Sequence, residues 1–257
     1  MSKIHPTAVV SPEAKISSDV EIGPFAIIEN DVEIGEGTVV HNNANIKAGA
    51  RLGKNNIIYP YCVLAAIPQD LKFKGQNSQL VIGDNNTIRE YVTISRSTIE
   101  GSKTVVGNNC LFMANSHTGH DCVIGNDCIV VNSVALAGHV VLEDNVILGG
   151  LVGVHQFCKI GRNTMVGAHS MVVKDVPPYA LFSGNPLQYE GLNIVGLRRK
   201  NFKPETIEEV KKAYNLLYNS GLNVSQAVQK IKSDLHQTEE IKNLVAFIEN
   251  TGRGISK

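Results

Sequence analysis

The sequence predicts a mainly β protein: a solenoid of short parallel strands followed by a C-terminal α-helical domain. Three observations predict it. Branched aliphatic residues recur at every sixth position from Ile4 to Val172, small residues recur four positions after them, and beyond Gly191 the pattern becomes that of amphipathic helices. In the six-residue phase 25 of 29 positions are apolar, where 43% hydrophobic residues overall would give about 12 by chance. A period of six is neither helical nor simply alternating. It fits six-residue units that each make one flat face and then turn a corner.

In chain order, the inner column from Ile4 through Val10, Ile16, Ile22 and onward to Leu64 is unbroken. Two stretches then leave the pattern, Ala65–Leu80 and Arg96–Thr104, and both read as loops extruded from the solenoid (loops near 65–80 and 96–104). Long loops on a rigid scaffold commonly carry function. The column resumes without a gap from Val106 to Val172, where Thr118 is its one polar member. All five cysteines, Cys62, Cys110, Cys122, Cys128 and Cys158, fall in the small-residue position of the repeat, which assigns them to the core. Pro177-Pro178 is expected to end the repeat and its strand pairing. Helices are expected over Leu192–Lys200, from Pro204 to about Ser220, over about Val224–Leu235 and over Glu239–Asn250. The expected domains are thus 1–176 for the solenoid and 177–257 for the helices, which cap its open end.

Composition excludes several classes. The 24 basic residues balance 24 acidic ones, so no global charge points to nucleic acid or a membrane surface. No apolar run has the length of a membrane-spanning segment, and the N-terminal residues lack the apolar stretch of a signal peptide. The chain therefore reads as cytoplasmic, with no integral membrane segment. An odd number of cysteines without a Cys-x-x-Cys spacing argues against a disulfide framework and a structural zinc.

The stretch Ala114–Asp121 interrupts the apolar repeat with two histidines and an aspartate. If three six-residue units close one coil, equivalent residues of successive coils stack about 4.8 Å above one another. His120 then lies beneath Gly138, Gly138 beneath Gln156, and Asp121 beneath His139, with His117 and His155 close by. Four of the eight histidines fall in this strip. A single corner histidine is incidental, but this convergence marks a functional site. Zinc is the rival use of such imidazoles. Asp121 is the only carboxylate in the strip and no cysteine joins it, so acid–base chemistry is favoured and no metal is expected.

The pattern of Ile22-Gly23, Ile34-Gly35, Leu52-Gly53, Ile124-Gly125 and Ile160-Gly161, with a small residue three positions after each glycine, resembles the hexapeptide repeat of left-handed β-helix acyltransferases. That likeness alone supplies the hand of the coil, since common crossovers are right-handed. Six further motifs are Gln69-Asp70-Leu71-Lys72, His117-x-x-His120-Asp121-Cys122, Leu136-Ala137-Gly138-His139-Val140, Val154-His155-Gln156-Phe157, Asp175-Val176-Pro177-Pro178-Tyr179 and Gly252-Arg253-Gly254. In order and spacing they are similar to those of the UDP-N-acetylglucosamine 3-O-acyltransferase family, across essentially the whole chain.

That resemblance implies transfer of a 3-hydroxyacyl chain from acyl carrier protein to the 3-hydroxyl of UDP-N-acetylglucosamine, the first step of lipid A biosynthesis. It implies no cofactor, because the thioester is a substrate. His120 would be the general base, Asp121 its orienting partner and the Gly138 N–H the oxyanion donor. Gln69, Asp70, Lys72, His117, His139, His155 and Gln156 would contact sugar or acyl chain. Asn193, Arg199 and Lys200 would hold the nucleotide, and Ala168 would limit acyl length. Arg198-Arg199-Lys200 by itself reads as a solvated helix end, and only the resemblance turns it into a nucleotide contact. The family also implies a homotrimer with sites between subunits.

One departure bears on the acceptor. Where many relatives read Asn-x-Glu-Gly, this chain has Asn193-Ile194-Val195-Gly196, which removes a carboxylate near the nucleotide. N-acylation of a 3-amino UDP-sugar analogue by the same mechanism is the alternative reading. Two others are the related N-acyltransferase, for which an additional N-terminal domain is expected, and a zinc-bearing solenoid of the carbonic-anhydrase type.

Overall fold

A computed structural model describes residues 3–256. From Lys3–Ile4 to Met171–Val172 the chain forms strands of two to four residues that stack in three parallel sheets, one per face of a three-sided coil. Ile4 pairs with Ile22, Ile22 with Val40, and Phe112 with Val130, so the ordinary coil consists of three of the repeat units, one per face. In each two-residue strand the second side chain points inward: Ile28 is buried beside an exposed Ile27. Successive inner aliphatics therefore stack into one continuous apolar column, with the cysteines in the corners of the core. Corner residues such as Asn43, Asn55, Asn85, Asn109 and Asn145 have φ between 54 and 62°. Asparagine tolerates this left-handed region better than most side chains, which accounts for its recurrence.

Two loops leave the coil, one between the strands Val63–Ala66 and Gln79–Ile82 and one between Thr93–Ser95 and Lys103–Val106, and their lengths have a reason. Leu64 pairs with Ile94, where the ordinary coil would bring it to Ile82, and Ile94 pairs with Thr118, where the ordinary coil would bring it to Phe112. The first loop thus lengthens its coil by the equivalent of two repeat units and the second by the equivalent of one. A coil can lengthen without disturbing its neighbours as long as its strands re-enter in register, with inward side chains still inward.

The double proline does not end strand pairing. Met165 pairs in parallel with Leu181 and Val166 with Phe182, in a strand, Ala180–Ser183, that lies beyond Pro178. The prolines fall in the corner before this strand, where no ladder N–H is needed. The last coil is shortened, since Val166 meets Phe182 where the ordinary spacing would bring Gly184. Gln188–Leu192 then turns back antiparallel. Leu192 accordingly belongs to a strand, and the first helix α1 is the shorter Ile194–Arg199, capped by Asn193. Helices α2 (Pro204–Tyr218), α3 (Val224–Asp234) and α4 (Glu239–Glu249) lie where the apolar spacing predicts.

The helices cover the last coil. Tyr214 of α2 is fully buried and donates to the Pro178 carbonyl at 2.5 Å. The C-terminal tail closes on buried Asp175, whose carboxylate accepts from the Lys159 N–H and the Thr251 hydroxyl. At the other end the first coil is open, with Ile4 42% exposed. No helix among the described residues is long and apolar enough to cross a membrane.

Candidate active site

The outward residues of the nine-stranded sheet read Thr93, His117, Ala135, Gly153 and Met171 from coil to coil. Two small residues above His117 leave a depression. The corner beside it, following each strand, carries His120, then Gly138, then Gln156, stitched together by His139 N–H to His120 O at 2.9 Å and Phe157 N–H to Gly138 O at 3.2 Å. The longer of the two extruded loops folds over this corner. The resulting cavity of about 710 Å³ is lined by Gln69, Asp70, Lys72, His117, His120, Gly138, His155 and Gln156, among others.

His120 stands at its centre, its side chain 14% exposed. Its Nδ1 is 2.8 Å from Asp121 Oδ2, and its Nε2 is 3.7 Å from Asp70 Oδ2 across the cavity. Asp70 is itself fixed by accepting the Lys72 N–H at 2.8 Å. A carboxylate on Nδ1 selects the tautomer that protonates Nδ1 and leaves the Nε2 lone pair facing the cavity. Asp121 is nearly buried. Burial raises the proton affinity of its carboxyl, but donors from Ser97, Thr98 and His120 outweigh it and hold the pKa below the ordinary carboxylate value. His117 donates to or accepts from Thr93 Oγ1 at 2.7 Å, and burial, with His120 nearby, lowers its pKa.

At Gly138 an added side chain would strike the His120 ring. A Cβ built there would lie 2.5 Å from Cε1 and 2.7 Å from Nε2 of His120. Its backbone N–H, in a buried corner, has no acceptor among the described residues. An unpaired donor against an imidazole is the arrangement an oxyanion needs.

His139 lies just behind these groups. Its ring stacks on Phe157 at 4.5 Å, and its Nε2 is 3.7 Å from Asp121 Oδ2. Donor atoms of His120, Asp121 and His139 all lie within 4.8 Å of one another. Asp121 accepts from Ser97, Thr98 and His120, so its oxygens are engaged in a hydrogen-bond network.

Four expected residues lie elsewhere in the single chain. Asn193 is nearly buried and spends its amide inside the fold, accepting from the Gly196 N–H and donating to the Asn163 carbonyl. Arg199 and Lys200, at the end of α1, are exposed and outside the cavity. Ala168 is exposed at the opposite corner of the sheet that carries His117, its backbone where a Cβ on Gly149 would fall. The groups missed in the sequence are hydroxyls: Ser97, Thr98 and Thr104 around Asp121, and Thr93 on His117. The one signal for the first three was the departure of Arg96–Thr104 from the repeat.

Residues 175–256 match the family described as UDP N-acetylglucosamine O-acyltransferase, domain 2. Residues 13–48, 31–66 and 103–138 match the bacterial transferase hexapeptide. A protein of Anaeromyxobacter, named acyl-acyl-carrier-protein–UDP-N-acetylglucosamine O-acyltransferase, is 47% identical over 255 residues, 99% of either chain. One of the same name from Myxococcus xanthus is 47% identical over the full length of both. Among solved structures, LpxA of Acinetobacter baumannii superposes with a TM-score of 0.96 at 42% identity, over 99% of each chain. LpxA of Bacteroides fragilis, a UDP-N-acetylglucosamine acyltransferase, does so with 0.97 at 47% identity, over 98% of this chain and 99% of that one. With them, the solenoid is a left-handed parallel β-helix followed by a helical domain. Its cavity, its hexapeptides and its full-length relatives lead to one assignment: this chain belongs to the UDP-N-acetylglucosamine O-acyltransferase family.

Proposed function

We propose that the chain transfers an acyl group from the thioester of acyl carrier protein to the 3-hydroxyl of UDP-N-acetylglucosamine, the step that opens lipid A biosynthesis. The observation that carries the chemistry is His120, held by Asp121 on Nδ1 with Nε2 open to the cavity. Nε2 takes the proton of the sugar hydroxyl as its oxygen attacks the thioester carbonyl. Asp121 stabilises the imidazolium that forms, and the Gly138 N–H receives the charge on the carbonyl oxygen. Collapse of the tetrahedral intermediate breaks the carbon–sulfur bond, and the proton on Nε2 passes to the departing thiolate. No cofactor enters these steps.

Gln69, Asp70, Lys72, His117, His155 and Gln156 line the same cavity and serve as contacts for the sugar and the acyl chain, with His139 behind them. Arg199 and Lys200 supply positive charge for the diphosphate from a neighbouring copy in a homotrimer, and Asn193, at the opposite end of the same helix, contributes to the nucleotide site by capping its N-terminus. Ala168 bounds the acyl chain across the sheet face. A hydroxyl acceptor is favoured over an amine because the full-length relatives are named O-acyltransferases. The test is turnover of acyl-acyl carrier protein with UDP-N-acetylglucosamine and, separately, with its 3-amino analogue. The reading expects ester formation with the first to exceed amide formation with the second. Preference for the amine replaces the acceptor, and turnover of neither overturns the reading.

A further inference from the structure

Asp121 is held by more donors than a carboxylate that merely orients an imidazole requires. Besides His120, its Oδ2 accepts from the Thr98 hydroxyl at 2.6 Å and the Thr98 N–H at 3.2 Å. Its Oδ1 accepts from the Ser97 hydroxyl. Ser97 is fully buried, and its oxygen accepts from the Ile99 N–H at 3.0 Å, which leaves its proton for Asp121. The Asp121 N–H in turn donates to Thr104 Oγ1 at 2.8 Å. Ser97, Thr98 and Thr104 all belong to the stretch that lengthens this coil by one repeat unit, and none lines the cavity.

We propose that Ser97 and Thr98 are positioning residues that set the proton affinity of His120 by sharing the charge of Asp121. This rests on the reading of His120 as the general base. A carboxylate whose charge is divided among several fixed donors attracts an imidazolium less than one bonded to the imidazole alone. The pull of Asp121 on the imidazolium is therefore weaker than that of an undivided carboxylate would be. The other groups facing His120 are Asp70, 3.7 Å from Nε2, and the rings of His139 and His117. Asp70 favours the imidazolium, whereas a charge on either histidine opposes it. Neither substitution below touches these three, so a change in titration reports on Asp121.

The test is the pH profile of kcat/KM for the wild type, Ser97→Ala, Thr98→Val, the double variant and His120→Ala, with His120 ring titration by NMR in the same proteins. Loss of each donor strengthens the hold of Asp121 on the imidazolium. The acid limb and the His120 titration should move upward by about half a pH unit to one unit, further in the double variant, and Thr98→Ser should restore the wild-type limb. A purely structural role would lower the plateau or the melting temperature without moving the limb. An unmoved or lowered titration in all three variants overturns the proposal. If His120→Ala keeps wild-type activity, the underlying base assignment fails instead, which separates the two.

Discussion

Gly138→Ala adds one methyl group where one coil meets the His120 ring of the coil before it. The new carbon would lie 2.5 Å from Cε1, 2.7 Å from Nε2 and 3.1 Å from Nδ1 of His120, where carbon contacts are comfortable at about 3.5–4.0 Å. The ring must retreat by about 1 Å. It cannot do so and keep the 2.8 Å contact from Nδ1 to Asp121. A displacement of about 1 Å in a reacting group costs roughly 10²-fold, or about 2.7 kcal/mol in the barrier. The methyl also crowds the N–H assigned to the oxyanion. Steady-state kinetics with acyl-acyl carrier protein and UDP-N-acetylglucosamine should show kcat/KM down by about 10²-fold or more, while thermal unfolding shifts little, since the corner can release strain through His120. A folded Gly138→Ala enzyme within about threefold of wild-type activity would refute the packing and the role given to the Gly138 N–H.

Three further outcomes follow from the core and the site. Thr118 is fully buried in the aliphatic column and its hydroxyl has no partner among the described residues, so Thr118→Val should stabilise the fold by about 1 kcal/mol and raise Tm by about 2–4 °C; a fall in Tm would indicate a partner for that hydroxyl. The Asp121 pKa is depressed in the folded state, so its contribution to stability is full above the unfolded carboxylate value of about 3.9 and is lost as pH falls through the lower folded value. The difference in urea midpoint between wild type and Asp121→Asn should shrink over that acid window, and a difference independent of pH contradicts the shift. Burial pushes the thiols of Cys62 and Cys122 up to about 12 and that of Cys158 to about 11, so a thiol reagent at neutral pH should label them only after unfolding; rapid labelling of the native protein would contradict their place in the core.

The solenoid was legible because its period is imposed by geometry: each inward side chain must be apolar, and the stacking of His120, Gly138 and Gln156 follows once three repeat units make a coil. The Pro204 start of α2 and the Asn223 and Thr238 caps of α3 and α4 are equally local features of the sequence. What could not be read depends on contacts across the extruded loops. Ser97 and Thr98 reach Asp121 only because their loop leaves the repeat and returns in register, and a serine in a loop carries no mark of its partner. The proline pair misled for a similar reason. Proline forbids a ladder donor, but whether it falls in a strand or in the corner before one depends on the shortening of the last coil. Asn193 is the remaining case: a cap and a ligand contact need the same amide, and its side chain is satisfied within the fold.

The central claim is that His120 is the base for acyl transfer. Single-turnover rates of His120→Ala with acyl-acyl carrier protein and UDP-N-acetylglucosamine test it most directly, with circular dichroism to verify the fold. The account predicts a rate lowered by about 10²–10⁴-fold with sugar-nucleotide binding changed only a few-fold. A folded variant that transfers the acyl group at the wild-type rate would contradict it.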